Sequence, residues 1–383
     1  MTEGNWGGSK AMLSILRRLF SKCVAIDLGT ANTLVSLPGA GIVLRQPSYV
    51  VFDEETGEIT DFGHKAKPLL GRTPPGLRVI RPIRDGMVQN VDITWWMLDH
   101  YLSKLGLNSN YVTDVVVGMA SGSSLIERAA LTETLSHCGF KNIYLVEEPL
   151  AAALGADLPV DAPRGTAVVD IGGGTTDISV LSLGGTVYSH SLRVAGDAMD
   201  EAIIEYLKDK RRFQVGYSTA EALKIAAGAA PVVGGTETMG NFKILVGGRS
   251  LENSLPRAKE ISSAELQAAL TQPLEQIAQG IGAALSQVSP ELAGDIKKYG
   301  ICLTGGGAKL RDLPAYIQAR TGLKVTRAHS AADSVAIGLQ RVVDERLKSI
   351  RLNPREEVYG HLPFANISSL SGKNYKKGLC LSS

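Results

Sequence analysis

The sequence predicts an α/β protein of two duplicated α/β domains facing each other across a cleft, each with a small inserted subdomain. Three observations predict it. Apolar strands that end in an aspartate and a glycine turn occur twice, at Val24 to Thr30 and at Ala167 to Thr175, a long-period internal repeat. Helical and strand-like segments alternate after each copy. At 383 residues the chain is too long for one compact core and fits two domains of ordinary size.

Residues 1–22 read as a leader with an amphipathic stretch, and 23–160 as the first domain. That domain opens on Val24-Ala25-Ile26-Asp27, continues into Thr33 to Leu37, and adds a third apolar stretch at Gly41 to Leu44. Alternation bounded by glycine marks all three as strands. Residues 92–105 and 124–139 carry helical periodicity, whereas Asp114 to Val117 and Asn142 to Val146 read as strands. The second domain, 161–345, repeats the opening: Ala167 to Ile171, Asp177 to Leu181, then Thr186 to Val194 after Gly184-Gly185. Helices are expected at Asp197 to Arg211, Ser218 to Ala227, Ser262 to Ser286 and Asp312 to Thr321, with a buried strand at Ile301 to Leu303. Stretches rich in Gly, Pro and charge mark the inserts, about 50–90 and about 206–261. The last helix, about 331–345, is expected to pack back on the first domain, and 346–383 to form a basic, flexible tail.

Composition narrows the function classes. Hydrophobic residues make up 44% and charged residues 20%, as a folded domain requires. A net charge of +2 argues against electrostatic capture of nucleic acid. The charge is uneven, however. Residues 1–22 carry a surplus of three positive charges and 346–383 a surplus of five, which leaves an acidic body between two basic ends. Such ends suit an anionic lipid surface. The four cysteines are far apart, without metal or disulfide spacing, and fit a reducing compartment. No apolar run is long enough to span a bilayer, and the N-terminal apolar stretch lacks a cleavage site.

The glycine turns carry the chemistry. A phosphate chain needs backbone N–H donors at close range, and glycine lets the backbone approach. Gly29-Thr30-Ala31-Asn32 and Gly172-Gly173-Gly174-Thr175-Thr176 offer such donors from two walls. Asp27 and Asp170 precede them at the strand ends. Singly, each aspartate could simply cap its turn. Together they would repel phosphate unless a cation lay between, and hydrated Mg²⁺, which takes few protein ligands, resolves that conflict. A third strand and glycine turn, Leu303-Thr304-Gly305-Gly306-Gly307, is a candidate for the nucleoside side. Glu147-Glu148-Pro149 follows a strand and precedes a small-residue helix. From spacing alone, Glu148 serves equally well to orient a water on a terminal phosphate or to sit at a helix N-terminus.

These four motifs resemble the phosphate-1, phosphate-2, adenosine and connecting motifs of the actin, heat-shock chaperone and sugar kinase ATPase superfamily, in the wording of the MreB-like bacterial actins. Gly71 to Pro74, Ile80-Arg81-Pro82, Asp85-Gly86, Gly196-Asp197 and Thr219-Ala220-Glu221 with Lys224 carry the same resemblance, which spans about residues 12 to 345. The resemblance implies an actin-like ATPase fold with ATP and Mg²⁺ as cofactors. By it, Glu148 and Thr175 position the attacking water, Asp27 and Asp170 hold the hydrated Mg²⁺, and Gly29 to Asn32 with Gly172 to Thr176 grip the phosphates. Glu221 and Lys224, on sequence alone an exposed helix pair, would reach ribose and base beside Gly305, Gly306 and Gly307. Met119-Ala120-Ser121-Gly122 departs from the family's valine-proline step, which bears on hinge or subunit contacts.

Met12, Leu13, Ile15, Leu16, Leu19 and Phe20 fall on one side of a helix, with Arg17, Arg18 and Lys22 outside that set. This reads as an interfacial helix, 12–20, that a filament would multiply by avidity; packing on its own domain is the alternative. The expected function is a self-polymerising ATPase, in paired protofilaments, peripheral on the inner face of the cytoplasmic membrane. By resemblance it serves cell shape, with wall-synthesis or morphogenesis proteins as partners. Competing readings are a filament that positions an organelle or plasmid, a sugar kinase, and a monomeric chaperone-like ATPase. For the chaperone, about 35 residues after the second domain are too few to form a peptide-binding domain.

Overall fold

The structure, a computed structural model, describes residues 23–107, 112–231 and 242–352. The expected membrane helix 12–20 and the tail beyond 352 lie outside the described residues.

In the first half, β1 (Cys23–Leu28), β2 (Asn32–Leu37) and β3 (Gly41–Pro47) form an antiparallel meander. A small sheet follows, with β4 (Val50–Asp53) between β5 (Ile59–Phe62) and β6 (Leu77–Ile80), and then the short ladder β7 (Ile83–Arg84) and β8 (Met87–Val88). Helix α1 (Val91–Lys104) starts where the Asn90 side chain accepts from the Ile93 N–H. After β9 (Asp114–Met119), α2 (Leu125–His137) opens with a reciprocal Ser124–Glu127 capping box. Strand β10 (Asn142–Glu147) then runs straight into α3 (Glu148–Gly155). The main sheet has the order β10-β9-β1-β2-β3, with β1, β9 and β10 parallel.

The second half repeats this wiring. Strands β11 (Thr166–Ile171), β12 (Thr176–Ser182) and β13 (Gly185–Leu192) form the meander. Then come α4 (Gly196–Arg211), β14 (Phe213–Gln214), α5 (Tyr217–Ala227), β15 (Lys243–Ser250), β16 (Pro256–Ser262), α6 (Ser263–Leu285) and α7 (Pro290–Tyr299). The chain ends through β17 (Ile301–Thr304), α8 (Leu313–Thr321), β18 (Val325–Arg327) and α9 (Ser334–Leu352). Sheet order is β13-β12-β11-β17-β18, while β14, β15 and β16 form a separate small sheet. Two differences from expectation stand out. Helix α7 was not expected, although Ser289 caps it and Pro290 holds its first turn. Helix α9 continues to Leu352, into the stretch expected as tail.

Strand parity explains the layering. Val24, Ile26 and Leu28 face an outer core with α1 and α2, while Cys23 and Ala25 face the other way. On β11, Ala167, Val169 and Ile171 face the outer core of the second half, and Val168 points opposite. The two inward faces share one core, filled by Ala151 to Leu154 of α3 and Val335, Leu339 and Val343 of α9. Helix α9 thus packs on first-half elements, α3, β1 and β9. Glycine sets how closely it does so. A Cβ on Gly338 would lie 1.8 Å from the Ala151 carbonyl oxygen, and one on Gly155 would lie 1.8 Å from that of Ser334. Arg341 then closes the end of α3, pairing with Asp157 at 2.7 Å and donating to the Leu154 carbonyl.

Gly338→Ala is therefore expected to force α3 and α9 apart and to cost about 3 kcal/mol or more of stability, the upper range for overpacking. Thermal denaturation checks this; a melting temperature equal to wild type would mean that the two helices have room to spare.

Candidate functional site

The layering brings the two aspartate turns together. Asp27 and Asp170 continue the inward parity of Ala25 and Val168, so both project toward the shared layer where β10 turns into α3 at Glu148. The two turns have the same internal bond: the Gly29 N–H donates to the Asn32 carbonyl at 3.1 Å, and the Gly172 N–H donates to the Thr175 carbonyl at 2.8 Å. They also lie against each other. A Cβ on Gly173 would stand 3.1 Å from the Ala31 Cβ, so a larger residue there would press on the facing turn.

Each predicted residue has a definite place. Thr30 is buried, and its hydroxyl accepts from the Gly86 N–H at 3.0 Å. Asn32 is exposed at the start of β2. Thr176 is fully buried, and its hydroxyl donates to the Val194 carbonyl at 2.7 Å. Thr175 donates to Asp177 Oδ2 at 3.0 Å. The N–H groups of Gly196 and Asp197, at the start of α4, donate to the carbonyls of Gly172 and Gly173 and hold the second turn from behind. Gly305 takes φ +84 and packs on Ile171, whereas the space beside Gly306 is open. Glu221 and Lys224 are engaged with protein partners: Glu221 pairs with Lys67 at 2.7 Å, and Lys224 pairs with Asp200 at 2.9 Å and donates to the Gly196 carbonyl at 2.7 Å.

The buried carboxylates of the site raise one another's pKa values. Burial, then the charges of Asp170 and Asp333, raises the Asp27 pKa to about 7. Burial and Asp177 raise that of Asp170 to about 7. Burial, then Asp177, Asp27 and Asp170, pushes Glu148 well above the usual carboxylate range. Against these, a hydrogen bond from the Thr304 hydroxyl lowers the Asp170 pKa. Among the described residues no three acidic, His or Cys side chains form a metal cage. Two carboxylates and solvent fit Mg²⁺, which keeps several of its waters.

Several residues were not legible as parts of this site. Asp177 is buried beside Thr175 and acts on both Glu148 and Asp170. Arg81 reaches across the cleft to Asp197 at 2.7 Å while lying 5.4 Å over the Tyr49 ring. With Lys67 to Glu221, it clasps the first insert to α4 and α5. The signal for these was partial: Arg81 and Asp85-Gly86 sat in segments singled out by resemblance, but nothing in the spacing named their partners. The loop at Ser121 also comes close, its hydroxyl 3.4 Å from Glu147 Oε2.

The family model for MreB/Mbl protein matches residues 21–351. Cell shape-determining protein MreB of Escherichia coli (strain K12) is 41% identical over 333 residues, 85% of this chain and 94% of that protein. Cell shape-determining protein Mbl of Bacillus subtilis (strain 168) is 36% identical over 327 residues, 85% of this chain and 97% of that protein. Among solved structures, MreB5 of Spiroplasma citri bound to ADP matches with a TM-score of 0.80 at 29% identity, over 86% of this chain and 98% of that chain. The same protein bound to AMPPNP matches with a TM-score of 0.81 over 87% and 98%.

The raised carboxylates give a pH prediction. In the ligand-free protein Asp27 and Asp170 bind protons more tightly folded than unfolded, so their contribution to stability is present at low pH and is lost as pH rises through about 7. Moving from about pH 8 to about pH 6 should stabilise the ligand-free protein by on the order of 1–3 kcal/mol. Asp27→Asn should flatten that slope and raise the melting temperature at about pH 8. A wild-type slope of opposite sign across that interval would contradict the assignment.

Proposed function

The chain belongs to the MreB/Mbl family and has its actin-like fold, and on that footing we propose that it binds and hydrolyses ATP with Mg²⁺ and polymerises into membrane-associated filaments that serve cell shape. The observation that carries this reading is the meeting of two matched glycine turns, each behind an inward aspartate, with Glu148 at the base of the cleft. Residues 23–160 and 161–345 act as the two domains, and the clasp of Arg81 and Lys67 on Asp197 and Glu221 is where they close on each other.

Within the cleft, backbone N–H groups of the two turns grip the phosphates, as glycine turns can. Asp27 and Asp170 would hold Mg²⁺, which would supply positive charge against the phosphates. Glu148 would accept a proton from the attacking water, and burial with the charges of Asp177, Asp27 and Asp170 raises its proton affinity. Glu221 and Lys224 turn to ribose and base beside Gly306, where the space is open, once Glu221 leaves Lys67. The relatives' names, cell shape-determining proteins MreB and Mbl, support the cellular role. Residues 12–20 place the polymer peripherally on the inner face of the cytoplasmic membrane, beside wall-synthesis proteins. Among the described residues no helix is long and apolar enough to cross a membrane.

Sedimentation tests the reading. Wild type should pellet with ATP and Mg²⁺ and co-pellet with anionic liposomes, and a chain lacking residues 1–20 should lose only the liposome-bound fraction. Glu148→Ala should still bind ATP but release phosphate about 100-fold more slowly or less. Protein that binds ATP yet stays soluble at every concentration, with or without lipid, would sink the filament claim.

A further inference from the structure

Arg45 sits on the inner face of the first sheet, in the same row as Asp27. Strands β1 and β2 set Asp27 opposite Leu34, and β2 and β3 set Leu34 opposite Arg45. Residues directly opposite one another point to the same side of a sheet, so the three share one face. Strands lie about 4.8 Å apart, which puts the backbone of Arg45 about 10 Å from that of Asp27. Helix α9 packs on β1, β2 and β3. Just before its first residue, Asp333 meets the arginine, with Arg45 Nη2 2.6 Å from Asp333 Oδ1. Beyond burial and Asp170, the charge of Asp333 raises the Asp27 pKa and that of Arg45 lowers it. The corresponding row of the second sheet, Asp170, Asp177 and Ser191, contains no cation.

The fold does not need this bridge to start α9. The turn before the helix closes on itself, with the Asp333 N–H donating to the Ser330 carbonyl at 2.8 Å. The Gly305 N–H donates to the Ala331 carbonyl at 2.7 Å and ties the same turn to the third glycine turn. An acidic residue at a helix start is favourable by itself. A pair with side chains 44% and 28% exposed adds little stability. What the pair does supply is charge balance. Asp333 alone would add a negative charge to the carboxylates of the cleft. Arg45 alone would oppose a cation there. Together they are close to neutral as felt at Asp27.

We propose that the Arg45–Asp333 pair makes cation binding in this cleft conditional on the nucleotide. By cancelling the charge of Asp333, Arg45 leaves the ligand-free carboxylates too weak to hold a divalent cation alone. Phosphate oxygens then supply the missing negative charge, and the ion is held together with them. Arg45 and Asp333 touch neither ion nor nucleotide in this account. They are positioning residues that act through Asp27. The inference rests on the reading of the cleft as a site for Mg²⁺ and a nucleotide.

The test is titration of the full-length, nucleotide-free protein with Mn²⁺, read by the loss of the free ion's electron paramagnetic resonance signal, with and without ATP. Without nucleotide, Arg45→Gln should hold Mn²⁺ about tenfold more tightly than wild type, and Asp333→Asn about tenfold more weakly. The two changes together should return to within about threefold of wild type. Arg45→Lys, which keeps the charge, should also stay within about threefold. In an Asp27→Asn background the opposite shifts should collapse, which locates them in the cleft. A bridge that only braced α9 would give shifts of one sign with a fall in melting temperature. Shifts of the same sign, no change in Arg45→Gln, or shifts that persist beside Asp27→Asn would each overturn the proposal. So would wild type that holds Mn²⁺ as tightly without ATP as with it. Wild type that binds Mn²⁺ neither alone nor with ATP overturns the reading of the cleft itself, and the proposal with it.

Discussion

The close contact of α3 with α9 is the constraint on which the rest depends. Two open sheets, each with helices on its outer face, still have apolar inner faces to bury. They bury them on one thin layer of small residues, Ala151, Ala152 and Ala153 against α9, with Gly155 and Gly338 where the helices touch backbone to backbone. Larger side chains would still bury the sheets, but farther apart. At greater spacing Asp27 and Asp170 would no longer share one electrostatic site, and Glu148 would no longer feel both.

That layer also explains why the acidic residues stand where they do. Inward-facing positions of β1 and β11 are apolar until the strand ends, where the layer gives way to the cleft. One more residue of the same parity is then an aspartate at the rim, behind a turn whose backbone N–H groups can face an anion. The fold thereby gathers four carboxylates, Asp27, Glu148, Asp170 and Asp177, at a cost that protonation relieves in the ligand-free state. A cation with phosphate would relieve it in another way, and the chain that closes on such a ligand gains stability from it. The clasps at Arg81 with Asp197 and Lys67 with Glu221 span the same cleft at its outer edge, where opposite charges meet in partly exposed surroundings and contribute modestly.

Much of this was legible in the residues. The strand endings Asp27-Leu28-Gly29 and Asp170-Ile171-Gly172 announce two equivalent hairpins because parity and glycine are local properties. Helices α1, α2, α4, α5, α6 and α8 follow from periodicity and caps such as Ser124 with Glu127 and Ser262 with Glu265. Helix α7 escaped because its apolar face is short, Leu292 and Ile296 in ten residues, and it follows α6 after only a few residues.

The sequence by itself determined the repeat, the two α/β halves, the glycine turns and the acidic strand ends, since each is written in neighbouring residues. Tertiary structure alone decided what those residues meet. The Thr176 hydroxyl donates to the Val194 carbonyl, just past the end of β13, and Glu221 pairs with Lys67, a residue 154 positions away. Asp177 is the sharpest case. In the sequence it is one more polar residue opening a strand, and only cross-strand register sets it opposite Asp170 and beside Thr175. Partners so distant along the chain are chosen by packing, which no local pattern encodes.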